Sequence, residues 1–128
     1  MAAGTGFLTT HILDTANGCP AHGVKIELYR LSGDAREHMV TMVTNDDGRT
    51  DQPVIAQGEL AVGTYELVFS IGDYFAGYGQ KQANPFIDVV PIRFGIAKPD
   101  EHYHVPLQKI MLLLGNFEQP GMANYLDQ

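Results

Sequence analysis

VKIELYRLSGDAREHMVTMVT, residues 24–44, decides the fold. Val24, Ile26 and Leu28 alternate with Lys25, Glu27 and Tyr29, the period of a strand with one face buried and one wet. SGDARE turns that run toward HMVTMVT (38–44), which has the same period, so the simplest structure for the stretch is a β-hairpin. Upstream, FLTTHILD (7–14) is β-branched and partly alternating, and NGCPAHG (17–23) breaks it with Asn-Gly, Pro and Gly. Downstream, NDDGRTDQP (45–53) carries turn chemistry, and GTYELVFSI (63–71) starts at a glycine and has one apolar face. GDYFAGYGQKQ (72–82) has room for a short helix only, because its glycines weaken anything longer. FIDVVPIRFGI (86–96) is a strand whose Pro91 removes a ladder donor, which places it at a sheet edge or at a bulge. EHYHVPLQKIMLLL (101–114), also with a proline, is the last strand segment. Six or seven short strands with almost no 3.6-residue periodicity predict an all-β protein, an antiparallel sandwich of two sheets with one short helix.

The 128 residues fit one domain, 1–128, and suffice to bury a core without disulfides or metals. Hydrophobic residues make up 45% and charged residues 18%, the balance of an ordinary globular chain, and no apolar run is long enough to span a bilayer. A net charge of −7 disfavours nucleic acid and anionic membranes as partners, since both would be repelled. Small molecules or other proteins are the expected partners. Cys19 stands alone, and MAAGTGFLTT lacks a cationic start followed by an apolar stretch, so a reducing, cytoplasmic setting is expected.

In the last strand His102, His104, Pro106 and Gln108 share one face and Tyr103, Val105 and Leu107 the other. The apolar face closes the core, which turns the histidines toward water or another subunit. In the first strand Thr9, His11 and Leu13 lie together, opposed by Thr10, Ile12 and Asp14, with both faces mixed. Arg49, in DDGRT, sits where a glycine lets the backbone bend and the guanidinium project beyond the sheet. Two imidazoles and a fixed cation suit hydrolysis. Taken singly, each residue also has a plainer reading. Strand histidines are commonly surface groups, and Arg49 could pair with Asp46, Asp47 or Asp51 for at most about 1 kcal/mol. His-x-His also suits zinc or copper, although Glu101 is the only acidic or thiol ligand beside it and no distant ligand spacing supports a site. His22 and His38 fit solvated positions, and Tyr74, Phe75 and Tyr78 fit packing.

LTTHILDTANGCPA (8–21), GRT (48–50) and HYHVPL (102–107) resemble the signatures of the transthyretin-like 5-hydroxyisourate hydrolases, and YELVFSIGDYF (65–75) and FIDVVPIRFGI are similar to that family too. The resemblance implies a transthyretin-like sandwich of two four-stranded sheets with a short helix, assembled as a homotetramer, a dimer of dimers, whose central channel holds the active sites. It implies His11, Arg49 and His104 as catalytic residues, and hydrolysis of a cyclic amide in 5-hydroxyisourate, a product of urate oxidation, with neither metal nor organic cofactor. Thr9, His102 and Gln108 on the same faces, with Tyr125, are then the candidates for binding the purine-derived substrate. The segment 108–128, QKIMLLLGNFEQPGMANYLDQ, departs from the pattern, because the family closes on Tyr-Arg-Gly-Ser. Equating Tyr125 with the family's tyrosine puts Leu126 and Gln128 where arginine and serine would follow, and Asp127 would repel a urate-like anion. Gln108 and Lys109 interrupt a stretch that is apolar in the family, and an uncovered IMLLL run would invite aggregation, so another chain or the tail should cover it. This divergence leaves two alternatives open, an enzyme acting on another small heterocycle or lactam, and a non-catalytic transthyretin-like binding protein.

Overall fold

A computed structural model describes residues 5–77 and 88–107. Seven strands and one helix follow in the order β1 (Phe7–Asp14), β2 (Cys19–Pro20), β3 (Lys25–Ser32), β4 (Ala35–Val43), β5 (Gly63–Ser70), α1 (Ile71–Ala76), β6 (Val89–Ile96) and β7 (His102–Leu107). They form a three-stranded sheet, β2-β1-β7, and a four-stranded sheet, β4-β3-β5-β6. The expected two-sheet sandwich is therefore present, although among the described residues one sheet has three strands rather than four, and the part of the last strand segment beyond Leu107 lies outside them. β6, with Pro91, is an outer strand of its sheet, where a missing donor leaves no gap in the interior.

Three details differ from the sequence expectation. The pairing of β1 with β7 is parallel, with Phe7 opposite His102, Thr9 opposite His104 and His11 opposite Pro106; all the other strand pairings are antiparallel. The hairpin turn is shorter than SGDARE, because Ser32 already pairs with Ala35 and only Gly33 and Asp34 lie between the strands. Finally, the register of β3 against β4 shifts between Leu28 and Tyr29, whose partners are Val40 and His38, and Met39 between those partners is 43% exposed.

The core lies between the sheets. Leu8 and Ile12 of β1 meet Ile26 and Leu28 of β3 and Tyr65, Leu67 and Phe69 of β5, all at 1% exposure or less. Each such side chain contributes about 1.5–3 kcal/mol of burial. The polar residues on the inner face of β1 each have a partner. Thr10 Oγ1 donates to the Val105 carbonyl at 2.6 Å. Asp14 receives the Tyr74 hydroxyl at 2.6 Å and the Asn17 side-chain amide at 2.7 Å, which ties α1 to the end of β1.

The loop before β7 sets the parallel register that matters for the site. The Tyr103 hydroxyl accepts the backbone N–H groups of Ala97 and Lys98 at 3.2 and 3.0 Å. Gly6 donates to the Pro99 carbonyl at 3.0 Å, and a Cβ on Gly6 would lie 2.3 Å from the Glu101 carbonyl oxygen. Only a glycine allows β1 to enter that close beneath the loop.

Candidate active site

Alternation along β1 and β7 puts Thr9, His11, His102 and His104 on the outward face of the three-stranded sheet, while Leu8, Ile12 and Leu107 point into the core. With strands about 4.8 Å apart and a rise of about 3.3 Å per residue, the register places the His11 and His104 backbones about 8 Å apart across that face.

Arg49 arrives from the other flank of β1, where it forms an isolated antiparallel bridge with His11. The turn that delivers it is held by Asn45. The Asn45 side-chain oxygen accepts the backbone N–H groups of Asp47 and Arg49 at 2.9 and 3.2 Å, and the Asn45 N–H donates to the Arg49 carbonyl at 2.7 Å. Gly48 takes a left-handed φ of 75°, and its carbonyl accepts the Ile12 N–H at 2.8 Å. The turn is thus stitched to the strand that carries His11. Among the described residues no carboxylate pairs with Arg49: Asp46 faces His22 at 3.1 Å, and Asp51 accepts the Asn45 amide at 2.9 Å. Arg49 is exposed.

Hydrogen bonds fix one ring and link two others. His11 Nε2 lies 2.9 Å from the Asp47 carbonyl. A carbonyl can only accept, so Nε2 carries a proton, and in the neutral ring the lone pair is on Nδ1. Thr9 Oγ1 lies 2.7 Å from His102 Nε2 and 2.9 Å from His104 Nδ1. The hydroxyl is therefore occupied by two imidazoles and acts on their orientation. The His102 ring stacks on Phe7, with centroids 4.1 Å apart and planes 15° from parallel. His104 is exposed on the face, yet partial burial of its ring lowers its pKa below the usual 6.5, and the positive charge of Arg49, then His102 and His11, lowers it further. At neutral pH the ring is uncharged and able to accept a proton.

Of the residues singled out from the sequence, the structure brings together Thr9, His11, Arg49, His102 and His104. Gln108 and Tyr125 lie outside the described residues, as does Tyr78. His22 and His38 lie elsewhere, His38 on β4 of the other sheet beside Thr41 at 2.7 Å and Glu27 at 3.8 Å. Tyr74 and Phe75 pack edge to face, 5.1 Å apart, in the interior. Sequence reasoning missed three contributors: Phe7 as the stacking surface for His102, the Asp47 carbonyl as the clamp on His11, and Asn45 as the organiser of the Arg49 turn. Asn45 was open to discovery, since an asparagine opening NDDGR is a common turn-former through its side chain.

Comparison with known proteins agrees with this fold. The model of the HIUase/Transthyretin family matches residues 8–114, a span that includes Thr9, His11, Arg49, His102 and His104. The 5-hydroxyisourate hydrolase 2 of Rhizobium meliloti (strain 1021) is 60% identical over 104 residues, covering 80% of this chain and 87% of that protein. Among solved structures, an (S)-allantoin synthase is 49% identical with a TM-score of 0.77, over 84% of this chain and 41% of its own, so this chain spans about two fifths of that protein. The 5-hydroxyisourate hydrolase of Klebsiella pneumoniae is 33% identical with a TM-score of 0.65, over 80% of this chain and 87% of its own.

Proposed function

Because this chain belongs to the HIUase/Transthyretin family, we propose that it hydrolyses the cyclic amide of 5-hydroxyisourate in urate breakdown, using His104, His11 and Arg49. One observation carries the assignment of residues: two imidazoles and a guanidinium with no carboxylate partner among the described residues, from three separate segments, lie toward one outward face. The 60% identity to a 5-hydroxyisourate hydrolase supports the choice of substrate.

The chemistry follows from the atoms. Water is a poor nucleophile at neutral pH, and a positioned base contributes roughly 10²–10⁴-fold. His104 Nε2 takes a proton from water as the oxygen bonds to the ring carbonyl carbon, and the carbonyl π pair moves onto oxygen. Arg49 receives that oxyanion; one fixed donor of this kind contributes about 2.7–4 kcal/mol. A planar, permanently charged fork suits the task better than a lysine ammonium. When the intermediate collapses, the C–N bond breaks, the departing nitrogen takes the proton from the His104 imidazolium, and the ring-opened acid leaves. His11, with Nε2–H held by Asp47, turns its Nδ1 acceptor toward an N–H of the substrate or the attacking water.

The proposal extends to the assembly and the setting. Residues 1–128 form one domain that works as a homotetramer, a dimer of dimers, in the cytoplasm. The openness of the histidine face in the single chain supports assembly, because the electrostatic steps gain strength only where a neighbour excludes water. No described helix is long and apolar enough to cross a membrane.

The test generates 5-hydroxyisourate with urate oxidase and follows its decay by ultraviolet absorbance. Decay should accelerate with this protein, fall to the buffer rate with His104→Ala, and slow by about 10²–10³-fold with Arg49→Lys, the cost of losing an oxyanion donor. Decay no faster than in buffer, or an Arg49→Lys rate within a few-fold of the parent, would defeat the assignment. Binding of an aromatic ligand that survives His104→Ala, without turnover, would mark a carrier instead.

A further inference from the structure

We propose that Thr9 and His102 form a proton relay behind His104, so that the charge created when His104 takes a proton comes to rest on His102. The inference deepens the hydrolase reading and rests on it for its kinetic consequences, but its structural premise stands alone.

That premise is the direction of two hydrogen bonds. Thr9 Oγ1 has one proton to give and two imidazole nitrogens beside it. It can donate to at most one ring and must accept from at least one. We assign the donated bond to the shorter contact, 2.7 Å to His102 Nε2, and the accepted bond to the longer, 2.9 Å to His104 Nδ1, the order in which hydroxyl and N–H donors fall. The chain then runs His104 Nδ1–H to Thr9 Oγ1–H to His102 Nε2. This direction leaves the lone pair of His104 on Nε2, the nitrogen facing away from Thr9, where the proposed reaction needs a base. Hydrogen bonds aligned head to tail also polarise one another.

The relay balances. Water loses a proton to His104 Nε2 while its oxygen bonds to the substrate carbon. The Nδ1 proton of His104 passes to Oγ1, and the Oγ1 proton passes to His102 Nε2. His104 ends neutral with its proton on Nε2, Thr9 is unchanged, and His102 carries the positive charge. The return path reprotonates the leaving nitrogen from His104 Nε2 as the shuttle reverses.

Charge placement favours this movement. A cation on His104 sits among Arg49, His11 and His102, all of which raise its cost. His102 lies two residues before His104 on β7, about 6.6 Å farther along the strand from the level of the Arg49 bridge, and its ring lies on Phe7 at 4.1 Å. An aromatic face attracts a cation held against it. Among the described residues, the groups facing His102 are Phe7, Thr9 and His104. Thr9 is thus a positioning residue, acting through two rings rather than on substrate.

Two readouts test this, one without turnover. Long-range proton–nitrogen NMR of imidazole-labelled protein should show neutral His104 and neutral His102 both protonated at Nδ1; a neutral His104 protonated at Nε2 overturns the proposal whether or not the protein is active. In the decay assay, Thr9→Val should lower kcat by tenfold or more with KM nearly unchanged, and Thr9→Ser should recover kcat to within about threefold of the parent, roughly 0.65 kcal/mol. The solvent-isotope proton inventory should be curved for the parent and Thr9→Ser and linear for Thr9→Val. A Thr9→Val enzyme with parental kcat and an unchanged inventory also overturns the relay. An inactive parent with the stated tautomers would instead defeat the hydrolase reading and leave the hydrogen-bond direction standing.

Discussion

Replacing Gly48 with alanine should cost stability and turnover together, because this residue both shapes the Arg49 turn and fastens it to the His11 strand. At φ 75° an L-residue is strained by about 1–2 kcal/mol. The added Cβ would also stand 2.3 Å from the Ile12 carbonyl oxygen and 3.2 Å from the Ala21 nitrogen, both backbone atoms that cannot rotate aside. That same carbonyl accepts the Ala21 N–H at 2.9 Å, so the turn must retreat and release the Ile12 N–H it holds at 2.8 Å. A buried donor left without a partner costs about 1–3 kcal/mol. Together these effects amount to about 2–5 kcal/mol, and at about 4 °C per kcal/mol for a chain near this size Tm should fall by roughly 8–20 °C. The retreat carries Arg49 and the Asp47 clamp with it, and a misplacement near 1 Å costs on the order of 10²-fold in rate. Thermal melts at matched protein concentration and the decay assay measure the two effects. Gly48→Asn separates the causes, since asparagine tolerates the left-handed φ but brings the same Cβ. If Gly48→Asn behaves as the parent, the clash argument fails; if Gly48→Ala melts within 2 °C of the parent with kcat within about threefold, the whole account fails.

Two further outcomes test the electrostatics and the anchoring. Arg49→Met removes a positive charge that lowers the His104 pKa, so NMR titration should show that pKa rising toward 6.5, still held below it by burial of the ring; no rise would place the guanidinium elsewhere. In the parent, folded His104 binds its proton less readily than the unfolded chain does. Between its lowered pKa and 6.5 stability should therefore rise with pH, be complete above 6.5 and be lost as pH falls through the folded value. Arg49→Met should narrow that window, as melts from pH 7 downward would show. Tyr74→Phe deletes the hydroxyl that reaches Asp14 at 2.6 Å and should destabilise by about 1–3 kcal/mol in denaturant melts without changing KM.

How much was legible in the sequence depended on whether the cause was local. β3 and β5 announce themselves because each has one apolar face, and the helix after Ser70 is short for the reason its glycines suggest. β1 looked mixed on both faces because Thr10 and Asp14 are buried. Their partners, the Val105 carbonyl and the Tyr74 hydroxyl, lie 95 and 60 residues away, beyond the reach of any local pattern. The parallel pairing of β1 with β7 was hidden for the same reason, since no turn joins the two strands. The two-residue β2 is too short to show a period, and the Met39 irregularity alters register without altering composition. The five described site residues were legible as types on outward faces, and their resemblance to a known family named their chemistry. Their couplings were not legible, because a carbonyl clamp and a shared hydroxyl depend on distances between segments.

That same parallel pairing governs when Thr9 and His104 can meet during synthesis. Thr9 waits for a residue 95 positions later, and at about 5–20 residues per second a ribosome needs about 5–19 seconds to supply it. Through that interval the flank of β1 that will receive β7 has no strand beside it, and closing so long a loop is entropically late as well as slow. Thr9 and His104 therefore come together only once β7 has docked, so the pairing of these two side chains cannot form on a nascent chain before that closing event.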